Sequence, residues 1–284
     1  MKKAISFVLS AMCAVIGCLV FCFAPVAAAK AEGAYCGETR YGSSEFRGGR
    51  YQGVESRTVE YSYYTKDRYV NQYSVSNFVV SGKVNACAVS AGGNICTYYD
   101  RLYSELIPNY QPYYFWGVFN YGSQNDGVNT MFNELYSRMG SDDSGTTVSG
   151  FKSGMTSYVN SKELSISFEQ ATGSYYNTDL DKIKSVIKQE KIAVIFMSNY
   201  TVTDENAINL YDSYSKISYN KFNGNHVMVV YGYYDIFYYA GSGSLVGRDT
   251  FLYVSTGDKN VLEHGLVNIC SYTQVMDMYM VSIY

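Results

Sequence analysis

The chain reads as an α+β protein, with an N-terminal helical part followed by a C-terminal antiparallel sheet. Two observations predict this. Apolar residues recur at helical spacing in four stretches, and all four precede residue 190. After that point come five short apolar runs of strand length, separated by turns, with no helical pattern between them. Helices first and strands afterwards is an α+β order, not the alternation of a doubly wound sheet. A hydrophobic content of 47% with only three prolines supports one sizeable core.

The N-terminus has the form of an export signal over residues 1–29. Lys2 and Lys3 precede an apolar run from Ala4 to Ala24, and "PVAAAKA" supplies small residues for cleavage near Ala29 or Ala31. The run is also long enough to span a bilayer, so a membrane is a partner only if the segment stays uncleaved. Cleavage predicts a secreted, extracellular protein. It also removes two lysines, taking the formal charge from −3 to −5. No basic run remains, so nucleic-acid binding has no electrostatic footprint. The chain holds 32 tyrosines. Tyrosine can bury its ring and keep its hydroxyl wet, which suits a secreted protein poor in lysine and glutamate or a sticky surface.

Residues 30–66 are polar and rich in Gly, Ser, Arg and Tyr, and read as a flexible lead-in or short pro-segment. Residues 67–284 then form one domain. Its first stretch, Tyr69 to Val80, is extended. Ala88, Ala91, Ile95, Tyr98 or Tyr99, and Leu102 mark the first helix, with Asn85 as its N-cap. Val128, Met131, Phe132, Leu135 and Met139 mark a second, stopped by Gly140. Val148, Phe151, Met155 and Val159 mark a third, and Leu180, Ile183, Val186 and Ile187 a fourth. The charges Asp179, Asp181, Lys182 and Lys184 read as a solvated face of that helix. Strands follow at Ile192–Met197, His226–Tyr234, Thr250–Thr256, Gly265–Ile269 and Tyr279–Tyr284. A polar loop over 198–225 precedes the second of these and is placed to gate a cleft. The aromatic run Asn109–Gly122 reads as packing.

Four cysteines follow the signal: Cys36, Cys87, Cys96 and Cys270. No CxxC pair occurs, so neither a zinc site nor any other metal is predicted. The pairing of Cys36, Cys96 and Cys270 is open, with Cys96 falling near the apolar stripe of the first helix. Cys87 differs because it lies in the first turn. The positive end of the helix dipole and the free N–H groups there favour the thiolate and can hold an oxyanion. A thiolate nucleophile needs a proton carrier. Of the two histidines, His264 reads as a solvated turn residue, whereas His226 opens a buried strand.

"NACAVSAGGNICTYYDR", "GTTVSGFKSGMTSYV", "IKSVIKQEKIAVIFM", "NGNHVMVVYGYYD" and "FLYVSTG" occur in that order. Together they resemble the papain-like cysteine peptidases, in particular the branch of bacteriocin-leader peptidases and their secreted bacterial relatives. The resemblance covers about Val80 to the C-terminus. It implies a papain-like fold and peptide-bond hydrolysis through a Cys87 thioester, with His226 as general base and then acid, a peptide or protein substrate and no cofactor. The family places a glutamine a few residues before the cysteine. By spacing that position is Ser81 here, and Asn85 is the alternative oxyanion donor. "VSTGDKNVLEHGLVNI" is similar to the segment carrying the residue that orients the imidazole. The alignment offers Ser255, with Asp258 as its rival. Two other functions stay open. One is an inactive papain-like fold that binds an extracellular partner such as a cell-wall polymer or host protein. The other is a cell-wall peptide amidase or transpeptidase.

Overall fold

The computed structural model describes residues 39–46, 56–65, 75–110, 113–115, 118–120, 126–171, 179–205, 217–258, 262–269 and 273–284. The proposed signal, Cys36, Cys270 and most side chains of the aromatic run lie outside the described residues. None of the described helices is long and apolar enough to cross a membrane.

Four helices fall where periodicity predicts them: α1 Cys87–Asp100, α2 Asp126–Arg138, α3 Val148–Asn160 and α4 Leu180–Ile187. Thr147 caps α3 by accepting from the Gly150 N–H at 2.9 Å, and Gly140 follows α2 with φ 62°. Asp179 is not merely solvated, because it caps α4 through the Lys182 N–H at 2.9 Å. Lys184 is likewise not a free surface charge. Its ammonium meets Asp235 at 2.6 Å with both side chains largely buried.

Eight strands build one antiparallel sheet: β1 Thr39–Phe46, β2 Ser56–Tyr64, β5 Ile166–Gln170, β6 Ile192–Thr203, β7 Ile217–Tyr239, β8 Leu245–Ser255, β9 His264–Asn268 and β10 Gln274–Ile283. Two short strands, β3 Tyr113–Phe115 and β4 Val118–Asn120, pair separately. Part of the lead-in is therefore strand: β1 and β2 both pair with β7. Their polar, Tyr-rich sequences lack an apolar run, so pairing rather than pattern identifies them. The 198–225 segment is also largely strand, since β6 runs on to Thr203 and β7 starts at Ile217. Tyr200, Val202 and Phe222 of these extensions are buried in the core on the α4 side, so the described part of the segment is not a solvated loop. Strand β9 pairs with β8 and meets β6 at Thr203–Leu266, so β6, β7, β8 and β9 close into a ring. Gly265 permits that closure, because a Cβ there would lie 2.5 Å from Val202 Cγ1.

Alternation sorts the core into two faces. Val194, Phe196, Val227, Val229 and Val281 pack with α1, α2 and α3. Ala193, Ile195, Met228, Val230 and Met280 pack with Ile183 and Ile187 of α4. Helices α1 and α3 thus lie against one side of the sheet with α2 packed on them, and α4 lies against the other side. Cys96 is fully buried among the first set, and burial pushes its thiol far up, so it packs and does not react.

Residues 75–80, the described end of the stretch expected to be extended, join no strand. Helix α1 satisfies them instead. Asn94 accepts the Phe78 N–H at 2.8 Å through Oδ1 and donates to the Phe78 carbonyl at 3.0 Å through Nδ2. Ser76 Oγ donates to the same Asn94 Oδ1 at 2.8 Å, and Ser90 Oγ accepts the Val80 N–H at 3.3 Å. Buried backbone groups need such partners, so two polar residues of α1 do the work of a neighbouring strand.

Candidate active site

Cys87 is the first residue of α1. The residue before it, Ala86, provides no side-chain cap, and Ser90 N–H to Ala86 O at 2.8 Å is the first bond of the helix. The amides of the opening turn therefore precede the helical ladder. Asn85 is not the N-cap. It takes φ 52°, a left-handed conformation that asparagine tolerates, and its Nδ2 donates to the Asp143 carbonyl. The asparagine thus turns the chain into the helix and ties it to the loop after α2. Ser81, at the spacing of the family's glutamine, is exposed in a turn.

His226 lies on β7 and is 2% exposed. Its ring stacks on Tyr200 with centroids 5.3 Å apart, and Tyr200 stacks in turn on Phe222 at 4.9 Å. Nε2 lies 2.7 Å from the carbonyl oxygen of Thr256. A carbonyl only accepts, so Nε2 carries the proton, and in the neutral ring Nδ1 carries the lone pair of a base.

Ser255, the first sequence candidate for the orienting residue, does not occupy that place. Ser255 pairs with Val229 across β7–β8 and shares its helix-covered face. His226 alternates with Met228 and Val230, on the other face. The Ser255 hydroxyl accordingly lies 2.8 Å from both Ser76 O and Asn77 Oδ1, which share its single proton. Asp258 is joined through its own backbone to Thr256, its N–H lying 3.2 Å from Oγ1. The group on the imidazole is the main-chain carbonyl between these two residues.

Cys87 and His226 border one short turn. A Cβ built on Gly257 would touch Ser90 Cβ at 3.5 Å, one helical turn beyond Cys87, and Thr256 of the same turn holds His226. Among the described residues no hydrogen bond joins the Cys87 thiol to the imidazole, and Cys87 is 7% exposed. No group of side chains suited to holding a metal occurs among the described residues.

His264 is not a solvated turn residue. It opens β9, half-buried, with Nδ1 at 2.7 Å from the Tyr231 hydroxyl. Burial draws its pKa down from 6.5 to about 4, against the opposing pull of Glu205. The Glu205 carboxylate itself accepts from the hydroxyls of Tyr234 and Tyr253. At the far end of α1, burial raises Asp100 from 3.8 to about 6, although the Ile107 N–H bonded to Oδ1 at 2.8 Å works the other way. These two groups act oppositely on stability. The unfolded His264 ring takes its proton first, so stability is lost as pH falls from about 6.5 toward 4, by up to about 3 kcal/mol. Folded Asp100 holds its proton more tightly than the unfolded chain does. Its contribution is therefore present below about pH 4 and lost as pH rises toward 6. Urea midpoints across that range test this. Asp100→Asn should steepen the loss of stability in acid and His264→Gln should flatten it; parallel curves for all three proteins would refute the assignment.

No protein-family model matches the chain, and no curated protein matches it in sequence.

Proposed function

We propose that the protein is a secreted thiol hydrolase of papain-like type that cleaves peptide bonds. The observation that carries this reading is the shared turn. The Thr256 carbonyl holds the imidazole at Nε2, and the adjacent Gly257 lies beside α1, where an added Cβ would come within 3.5 Å of Ser90 Cβ. Cys87 as thiolate attacks the peptide carbonyl, and its sulfur–carbon bond forms as the carbonyl π electrons move onto oxygen. Opening-turn amides of α1 stabilise that oxyanion. The imidazolium gives its proton to the leaving amine as the C–N bond breaks. Neutral His226 then takes a proton from water, which attacks the thioester and releases the acid and the thiol. The scheme requires the imidazole, which projects from the sheet face opposite α1, to reach the thiol when substrate binds.

One observation favours a second reading, an inactive fold that binds an extracellular partner. His226 projects from the sheet face opposite the one that α1 covers, and both site residues are buried.

Alkylation of the mature protein from about pH 5 to pH 9, resolved by peptide mass spectrometry, separates the two. An activated Cys87 labels well below the ordinary thiol pKa of about 8.5, and His226→Ala slows it. Labelling of Cys87 only at alkaline pH, or no faster than that of Cys96, sinks the hydrolase reading.

A further inference from the structure

The Thr256 carbonyl that meets His226 and the Gly257 N–H belong to a single peptide unit, and that unit is held from both sides. Its carbonyl accepts from Nε2 at 2.7 Å. Its N–H donates to Asn77 Oδ1 at 2.7 Å, and the same oxygen accepts the Ser255 hydroxyl at 2.8 Å. A trans peptide is planar, with N–H and C=O pointing in opposite directions. Fixing the direction of the N–H therefore fixes that of the carbonyl. The constraint matters here because Gly257 has φ 68°, and a glycine permits the plane to rotate at little cost. Thr256 is anchored on its other side, with its N–H on the Glu263 carbonyl at 3.1 Å and its hydroxyl on the Leu262 carbonyl. The plane that carries the carbonyl to His226 is left to Asn77.

We propose that Asn77 is the positioning residue of His226, acting through the Thr256–Gly257 peptide. The role rests on the hydrolase reading for its purpose but not for its geometry. In this arrangement a backbone carbonyl takes the place of an orienting side chain, and an asparagine 180 positions earlier in the chain aims it. Structural economy does not account for the asparagine. Its Nδ2 is buried and meets no acceptor among the described residues, an arrangement that costs stability. A carboxylate would offer the same acceptor oxygen to the same two donors, which makes aspartate the conservative variant.

The test is nitrogen-15 NMR of the imidazole in the full mature chain, with Cys87 alkylation rates measured on the same samples. The wild-type ring is expected in the Nε2–H tautomer. Asn77→Ala should mix the two tautomers and slow Cys87 labelling near neutral pH about tenfold. Asn77→Asp should restore the single tautomer. If the alanine variant does not fold, Asn77→Ser, too short to span to Gly257, serves in its place. A folded Ala or Ser variant with the wild-type tautomer overturns the proposal, whatever its activity. A tautomer that responds to Asn77 beside a Cys87 that is unreactive even in the wild type supports the positioning and removes the hydrolase reading instead. An activated Cys87 in a variant with an unchanged tautomer leaves the hydrolase and removes the positioning role.

Discussion

Cys87→Ala is expected to abolish peptide hydrolysis, lowering kcat/KM by at least about 10³-fold, while the protein melts within a few degrees of wild type. The thiolate is the only group in the proposed scheme that forms a bond to substrate, so no other residue can replace it. Removing one sulfur from a residue at the very start of a helix leaves only a small void in the core. His226→Ala removes the proton carrier and is expected to cost about 10²–10⁴-fold. Residues that act as one unit are not additive, so the double variant should be no worse than Cys87→Ala alone. Turnover of an unfolded fluorogenic protein by the three variants and the wild type checks this. Hydrolysis that survives Cys87→Ala would place the chemistry elsewhere. A double variant much slower than either single one would show two residues working independently.

Gly154→Ala should lower stability by about 3 kcal/mol. The residue lies in α3 where that helix crosses the end of α2. A Cβ there would fall 2.7 Å from both N and Cα of Met139, and 2.4 Å from its Cγ. Rotating the methionine side chain clears the last of these contacts but not the first two, so the helices must separate. In a chain of this length that corresponds to a melting temperature lower by about 6–12 °C. Gly140→Ala provides the comparison. No atom lies within 4 Å of its Cβ position, and its cost is the left-handed backbone alone, about 1–2 kcal/mol. Equal losses for the two variants would mean that packing against Met139 is not what demands a glycine at 154.

The helices were legible because their apolar residues face one sheet at regular spacing. The periodicity that buries Ile95, Phe132, Phe151 and Ile183 is visible in one dimension. Strands β6 to β10 were legible for the same reason, as runs buried on one or both faces. Ends and polar strands were not. The two lead-in strands are held by ladder hydrogen bonds to β7, which every residue but proline can make and which leave no mark on composition, whereas the extensions of β6 and β7 bury Tyr200, Val202 and Phe222 among polar residues that break up any apolar run.

The site divides along the same line. The sequence by itself marked the two candidate residues by local pattern: a cysteine at a helix start and a histidine at the head of an apolar run, although the structure places His226 well inside β7 and not at a strand entry. It also placed Cys96 near the apolar stripe, and the structure then shows it free and fully buried. Tertiary structure alone decided what touches the imidazole. Strand parity carries Ser255 to the face opposite His226, and backbone conformation brings the Thr256 carbonyl to Nε2. A carbonyl is common to all residues and so cannot be read from residue identity. The same holds for Asn77, whose partners lie about 180 positions away: only the folded chain brings an amide from before the first helix to a turn after the eighth strand.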